Sequence, residues 1–270
     1  MIAHGRYWYH LFTPWDELIN RHHLYLYLLQ EIKRHHADEH APVLLEKELL
    51  PPIHHQEVWA AGVTYFRSKE ARRDESKASG GATFYDKVYE AERPELFFKS
   101  AANRVVGSGD QVYIRKDSRW NVPEPELTLF LNSDGNIEGY TVGNDMSSRS
   151  IEGENPLYLP QAKTYSRSAA IGPCLFVPAS PISQDTTITM KIEREGRMMY
   201  HDKVQINKMK RKHTELASWL FRECDFPFGC FLMTGTCLVP PPEFTLAVGD
   251  TITITIDKIG TLTNTVGVKK

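Results

Sequence analysis

The amino-acid sequence predicts an α+β fold rich in β-structure. Three observations carry that prediction. Alternation of apolar and polar residues with period two recurs between residues 56 and 270, most strictly in Thr251-Ile-Thr-Ile-Thr-Ile256. Turn signals separate these runs at Asp134-Gly135, Arg194-Glu195-Gly196 and Asp257-Lys-Ile-Gly260. Helical periodicity is confined to a few segments, and no internal repeat is present. The expected division is a small N-terminal domain over 1–55 and a larger β-rich domain over 56–270, with Pro51-Pro52 at the boundary.

Taken in order, Pro14 to about His36 has apolar residues at helical spacing and predicts one helix, acidic early and basic late as its dipole prefers. Seven of the eleven histidines (His4, His10, His22, His23, His35, His36, His40) occur by residue 40, where surface helix positions explain them better than a metal cluster does. Val58 to Tyr65 reads as a buried strand. Residues 66–93 form a polar, interrupted insert with helix-compatible pieces, either a lid or a surface helix pair. Leu96-Phe-Phe-Lys99 and Gln111 to Arg115 are the next strands. The segment from Ile151 to Tyr165 reads as a long polar loop. Ile171 to Val177 resumes strand, and Thr186 to Glu193 with Arg197 to Val204 make a hairpin. His213 to Cys224 is helical, Leu232 to Thr236 is a strand ending in a glycine turn, and Thr251–Ile256 with Leu262–Val266 close the chain.

Composition excludes several function classes. The 270 residues carry a net charge of −2, so nothing points to nucleic acid or an anionic membrane. No apolar run approaches a membrane span. The four cysteines lack Cys-x-x-Cys spacing and read as reduced thiols. The N-terminal residues lack a signal-peptide pattern, so the cytoplasm is the expected compartment.

The stretch from Trp120 to Arg149 concentrates the chemistry. With a two-residue loop at Asp134-Gly135, paired residues sum to 269, so Leu131 faces Glu138 and Glu124 faces Asp145. Leu127, Leu129, Leu131, Tyr140 and Val142 then share a core face. Glu124, Glu126, Thr128, Gly139, Thr141, Gly143 and Asp145 share the other, where the glycines leave room. An odd loop would turn Asp145 to the core. Three carboxylates this close need protons or a cation, and all-oxygen donors suit Mg²⁺, Mn²⁺ or Ca²⁺. A solvated acidic strand edge is the alternative. Nearby, Lys163 suits a base or proton donor, Arg149 a clamp for a carboxylate, and Gly235-Thr236 an anion nest.

These motifs, in order, resemble the fumarylacetoacetate hydrolase superfamily: Glu124-x-Glu126, Gly139-Tyr-Thr-Val-Gly-Asn-Asp145-x-x-x-Arg149, Lys163, Gly172-Pro, Thr234-Gly235-Thr236, Val248-Gly-Asp250 and Ile259-Gly260. The likeness spans about residues 58–268. It implies a mixed β-roll catalytic domain with a variable N-terminal domain, assembled as a homodimer or homotetramer. It implies metal ligation by Glu124, Glu126 and Asp145, an active-site Lys163, and substrate binding by Arg149 and Thr236. Tyr65, Lys99 and Ser147 complete the expected substrate-binding set. Hydrolases of the family carry Asn-Tyr-x-x-His and then a glutamate after the first core strand; here Thr64-Tyr65-Phe-Arg-Ser68-Lys-Glu70 places serine at the histidine position. Serine cannot serve as an imidazole base. The flanks of Trp59, Arg93, Trp120 and Ile151 are similar to the branch containing 2-keto-3-deoxy-D-arabinonate dehydratases. The expected activity is therefore Mg²⁺-dependent loss of water from a 2-oxo sugar acid, with Lys163 as base and Glu70 or Glu152 as acid. A C–C hydrolase of diketo acids and a catalytically silent binding protein are the alternatives.

Overall fold

The computed structural model describes residues 1–41, 43–44, 49–66 and 87–270. Most of the insert at 66–93, including Ser68 and Glu70, lies outside the described residues. The strands are β1 (Ile2–His4), β2 (Tyr7–Tyr9), β3 (Glu57–Gly62), β4 (Glu95–Ala101), β5 (Val105–Val106), β6 (Gln111–Ile114), β7 (Asn121–Val122) and β8 (Pro125–Leu131). They continue with β9 (Ile137–Asp145), β10 (Ser147–Ser148), β11 (Ala169–Phe176), β12 (Thr187–Arg194), β13 (Arg197–Gln205), β14 (Cys230–Met233), β15 (Thr251–Ile256) and β16 (Gly260–Val268). The α-helices bounded within the described residues are α1 (Trp15–Ile19), α2 (Leu24–Ile32), α3 (Arg149–Glu154), α4 (Leu159–Lys163) and α5 (His213–Leu220).

Seven strands form a mixed sheet in the order β4-β3-β14-β8-β9-β11-β5, and five form a second sheet, β13-β12-β15-β16-β6. The alternating Ile188, Met190, Ile252 and Ile254 of the second sheet meet Leu127, Leu129, Leu131, Tyr140 and Val142 of the first in one core. Each fully buried leucine there stabilises the fold by about 1.5–3 kcal/mol. The opposite face of the first sheet is also covered. Phe130, Phe231, Met233, Val58 and Ala60 pack beneath Leu11, Leu18, Ile19 and Leu24 of the N-terminal segment. The acidic hairpin is thus central, not the solvated edge of the alternative reading.

The hairpin register follows the sequence argument by an unexpected route. The loop has three residues, not two: Asn132 N–H bonds Asn136 O at 3.0 Å, and Gly135 N–H bonds Asn132 O at 2.9 Å. Gly135 sits at φ +77°, the left-handed value that this three-residue loop requires. An odd loop alone would flip the strand. A bulge then leaves Glu138 unpaired, so Leu131 faces Ile137 and Phe130 faces Gly139. From there the sum of 269 is restored, and Glu126 pairs with Gly143.

That bulge explains a second departure. The expected helix from Pro14 to His36 is two helices, broken at residues 20–23. Asn20 Oδ1 accepts from Ser133 N–H at 2.7 Å. The Glu138 carboxylate accepts from His23 N–H at 3.1 Å and Leu24 N–H at 2.9 Å, capping a fresh helix start. Bonds to the hairpin therefore outweigh helix continuation. The segment 151–165 also differs, being α3, a 3₁₀ turn over Pro156–Tyr158, and α4. Pro156 and Pro160 occupy first-turn positions, where proline starts a helix instead of breaking one. Helix α5 ends at Leu220, short of Cys224, and Phe221 turns onto Phe226, with ring centroids 4.9 Å apart.

Burial holds the His213 imidazole at a pKa of about 4, below its ordinary 6.5. The unfolded chain takes up this proton near pH 6.5, the folded chain only near pH 4. Stability contributed by neutral His213 is full above pH 6.5 and is lost as pH falls toward 4. Urea unfolding across this window is expected to show a shallower pH dependence in His213→Asn than in the wild type. Identical slopes would contradict it.

Candidate active site

Pro123 and Pro125 flank Glu124 and lack backbone donors, so the β7 ladder stops and the chain crosses into β8. The backbone carbonyl of Glu124 still accepts from Asp145 N–H at 2.9 Å, which aligns the two residues. Glu124, Glu126 and Asp145 are 3, 1 and 1% exposed, and a carboxylate oxygen from each lies within 4.8 Å of the others. The hairpin glycines do not leave open room beside them. A Cβ on Gly143 would lie 2.2 Å from Thr128 Oγ1, so close packing occupies that space.

Three cationic side chains surround the acids, all nearly inaccessible. Lys163, at the end of α4, donates to Glu124 Oε2 at 2.7 Å and Asp145 Oδ2 at 3.0 Å. Arg149, opening α3, bonds Glu124 Oε1 at 2.8 Å. Lys99 on β4 lies 2.5 Å from Asp145 Oδ1 and donates to the carbonyls of Met146 and Lys163. Lys99 and Asp145 belong to strands four places apart, about 19 Å in a flat sheet. The sheet must curl to bring them into contact, as a β-roll does.

The charges respond to this crowding. Burial, with Asp145 and Glu124 adding repulsion, pushes the Glu126 carboxyl well above its usual range. Burial brings the Lys99 ammonium down to about 8 against the opposing pull of Asp145. Burial, reinforced by Asp145, raises the Tyr165 phenol, whose hydroxyl lacks a partner among the described residues.

The expected substrate-binding residues fall into two groups. Arg149 and Lys99 stand at the carboxylates, whereas Ser147 Oγ donates to Oε2 of the buried Glu152 at 3.1 Å. Tyr65 is 2% exposed, and the charge of Glu126 helps raise its phenol after burial and Cys237. Thr236 Oγ1 accepts from Leu238 N–H at 3.3 Å. At the Gly235 turn, expected to be an anion nest, one backbone N–H meets an internal carboxylate: Gly235 N–H donates to Glu126 Oε2 at 2.5 Å. Gly235 has φ +97°, and a Cβ there would meet Thr64 Oγ1 at 2.0 Å. Sequence reasoning missed the backbone carbonyls of Met146 and Lys163, because main-chain atoms carry no residue signature.

The donor set fits a hard divalent cation. Buried oxygen ligands converge, one of them resisting ionisation until a cation offsets the repulsion. A β-roll with such a cluster defines a metal-dependent enzyme of the carboxylate-ligand class. Residues 57–267 match the model described as fumarylacetoacetate (FAA) hydrolase C-terminal, and the chain belongs to that family. It is 46% identical over 231 residues to a probable 2-keto-3-deoxyxylonate dehydratase of Haloferax volcanii, covering 85% of this chain and 78% of that one. It is 46% identical over 215 residues to a 2-dehydro-3-deoxy-D-arabinonate dehydratase of Saccharolobus solfataricus, covering 78% and 72%. A solved 2-keto-3-deoxy-D-arabinonate dehydratase complexed with magnesium and 2,5-dioxopentanoate superposes with TM-score 0.78 at 39% identity, covering 91% of this chain and 88% of that chain.

Proposed function

We propose that the protein is a Mg²⁺-dependent dehydratase of a 2-keto-3-deoxy-pentonate such as 2-keto-3-deoxy-D-arabinonate, yielding 2,5-dioxopentanoate. The observation that carries this reading is the three-carboxylate, three-cation cluster in a chain 46% identical to two such dehydratases. Glu124, Glu126 and Asp145 would hold Mg²⁺, with Mn²⁺ or Ca²⁺ as other hard ions of suitable chemistry. The bound ion supplies Lewis acidity that makes the C3 proton of a 2-oxo acid removable.

Lys163 takes the C3 proton. Its amine stands within hydrogen-bond reach of Glu124 and Asp145, the carboxylates that would hold the ion. Glu152, oriented by Ser147, delivers a proton to the departing C4 hydroxyl, with Glu70 the other candidate acid. Loss of water leaves a C3=C4 double bond conjugated to the 2-oxo group. Transfer of a C5 proton to C3 gives a C4=C5 enol, which ketonises to the 5-aldehyde. Arg149, Lys99, Tyr65 and Thr236 position the substrate. We place the enzyme in the cytoplasm as a homo-oligomer, with residues 1–55 as its small N-terminal domain. Among the described residues no helix is long and apolar enough to cross a membrane.

The test is incubation of purified protein with Mg²⁺ and a series of 2-keto-3-deoxy sugar acids. Formation of 2,5-dioxopentanoate from the pentonate, abolished by chelation, is expected. Absence of product across the series would overturn the proposal.

A further inference from the structure

A second cluster of metal-ligating side chains lies outside the carboxylate site. Asp16 on α1 projects its carboxylate toward His54 and His55, which precede β3. His54 Nδ1 lies 2.8 Å from Asp16 Oδ2, and His55 Nδ1 lies 2.6 Å from the same oxygen. The imidazoles are 4.0 Å apart between ring centroids, in an edge arrangement. The other carboxylate oxygen, Oδ1, accepts from Gln56 Nε2 at 2.7 Å, and Gln56 Nε2 also donates to Phe228 O at 3.1 Å. Gln56 is 1% exposed, so the carboxylate is oriented by a buried side chain. The His55 ring packs against Phe228 at 5.1 Å.

We propose that Asp16, His54 and His55 form a binding site for a borderline divalent ion, with Zn²⁺ as the type ligand. Two imidazole nitrogens and one carboxylate oxygen are the donor types such ions take. Four-coordinate Zn²⁺ places ligand atoms about 3.3 Å apart, from bond lengths near 2.0–2.1 Å. The present 2.6 and 2.8 Å separations need widen only slightly once the shared protons leave. The histidine side chains are 60% and 55% exposed, which gives an ion access from solvent and leaves room for water as the fourth ligand. Gln56 supplies the hydrogen bond that keeps a ligating carboxylate in place. The two sites divide ions by hardness: Mg²⁺ suits the all-oxygen cluster, and Zn²⁺ suits the mixed nitrogen–oxygen one. Bound there, Zn²⁺ clips the N-terminal segment to the start of β3, far along the sheet from the proposed chemistry.

The experiment measures Zn²⁺ retained by the full chain after equilibrium dialysis in excess Mg²⁺. Wild type and Glu126→Gln are both expected to hold a Zn²⁺ equivalent that His54→Ala/His55→Ala lacks. Affinity should fall by more than the roughly 100-fold that losing an outer-shell partner alone can cause. Zn²⁺ should also raise the thermal midpoint of the wild type but not of the double variant, whose Mg²⁺-dependent turnover stays unchanged. Co²⁺ in place of Zn²⁺ should give a visible ligand-field spectrum that the double variant loses. Equal Zn²⁺ retention by wild type and double variant, or none in either, would overturn the site without touching the dehydratase reading.

Discussion

Replacing Lys163 by methionine is expected to lower turnover by about 10²–10⁴-fold, the range for loss of a positioned acid or base. It also unbalances the buried charge. Glu124 keeps its bond to Arg149, and Asp145 keeps Lys99. Removing one partner from a buried ion pair costs about 3–5 kcal/mol, and the remaining partners place this case at the lower end. Mg²⁺ compensates the missing charge, so it should raise the thermal midpoint of Lys163→Met more than that of the wild type. Lys163→Arg separates the two roles. It restores a permanent cation and hence stability, but a guanidinium does not give up its proton, so turnover stays low. Turnover in Lys163→Arg near the wild-type level would remove Lys163 from proton transfer.

Glu126→Gln should abolish Mg²⁺-dependent turnover while leaving the metal-free fold intact. The amide keeps an oxygen for Gly235 N–H and nearly the same volume. It removes the charge that burial and two neighbouring carboxylates disfavour. Because the folded-state pKa of Glu126 is raised above 4.5, its contribution to stability is full below that pH and declines as pH rises toward the folded value. Relative to wild type, the glutamine variant therefore gains stability as pH rises above 4.5, before metal is added. Mg²⁺ must displace the Glu126 proton, so its affinity for the wild type should increase with pH, with proton release measurable by calorimetry in buffers of different ionisation enthalpy. Mg²⁺ binding by Glu126→Gln within a few-fold of wild type would exclude Glu126 as a ligand.

Much of the carboxylate cluster was legible in the chain because its cause is local. Strand alternation has period two, so Glu124, Glu126 and Asp145 share a face once the hairpin register is known. The register argument reached the right pairing near the acids although both the loop length and the Leu131 partner differ. The three-residue loop and the bulge at Glu138 cancel. Neither alone was visible, because the Glu138 carboxylate also caps α2, a partner more than a hundred residues away. The same remoteness hid the break at Asn20 and the meeting of Asp16 with His54 and His55. Histidines nearer the N-terminus were more numerous in sequence, but number does not bring imidazoles together in space.

The sequence by itself determined the β-rich class, the acidic hairpin, the free cysteines and the family motifs. Each depends on residue identity at short separation, where turn chemistry and side-chain alternation act directly. Tertiary structure alone decided which charges face the acids. Lys99 reaches Asp145 only because the sheet curls across four strand spacings. Arg149 and Lys163 converge on Glu124 from two helices in a segment whose prolines read, in isolation, as loop. Curvature and convergence sum contacts among residues far apart in the chain. No local pattern encodes that sum, so the balance of three cations against three buried carboxylates emerges only in the folded protein.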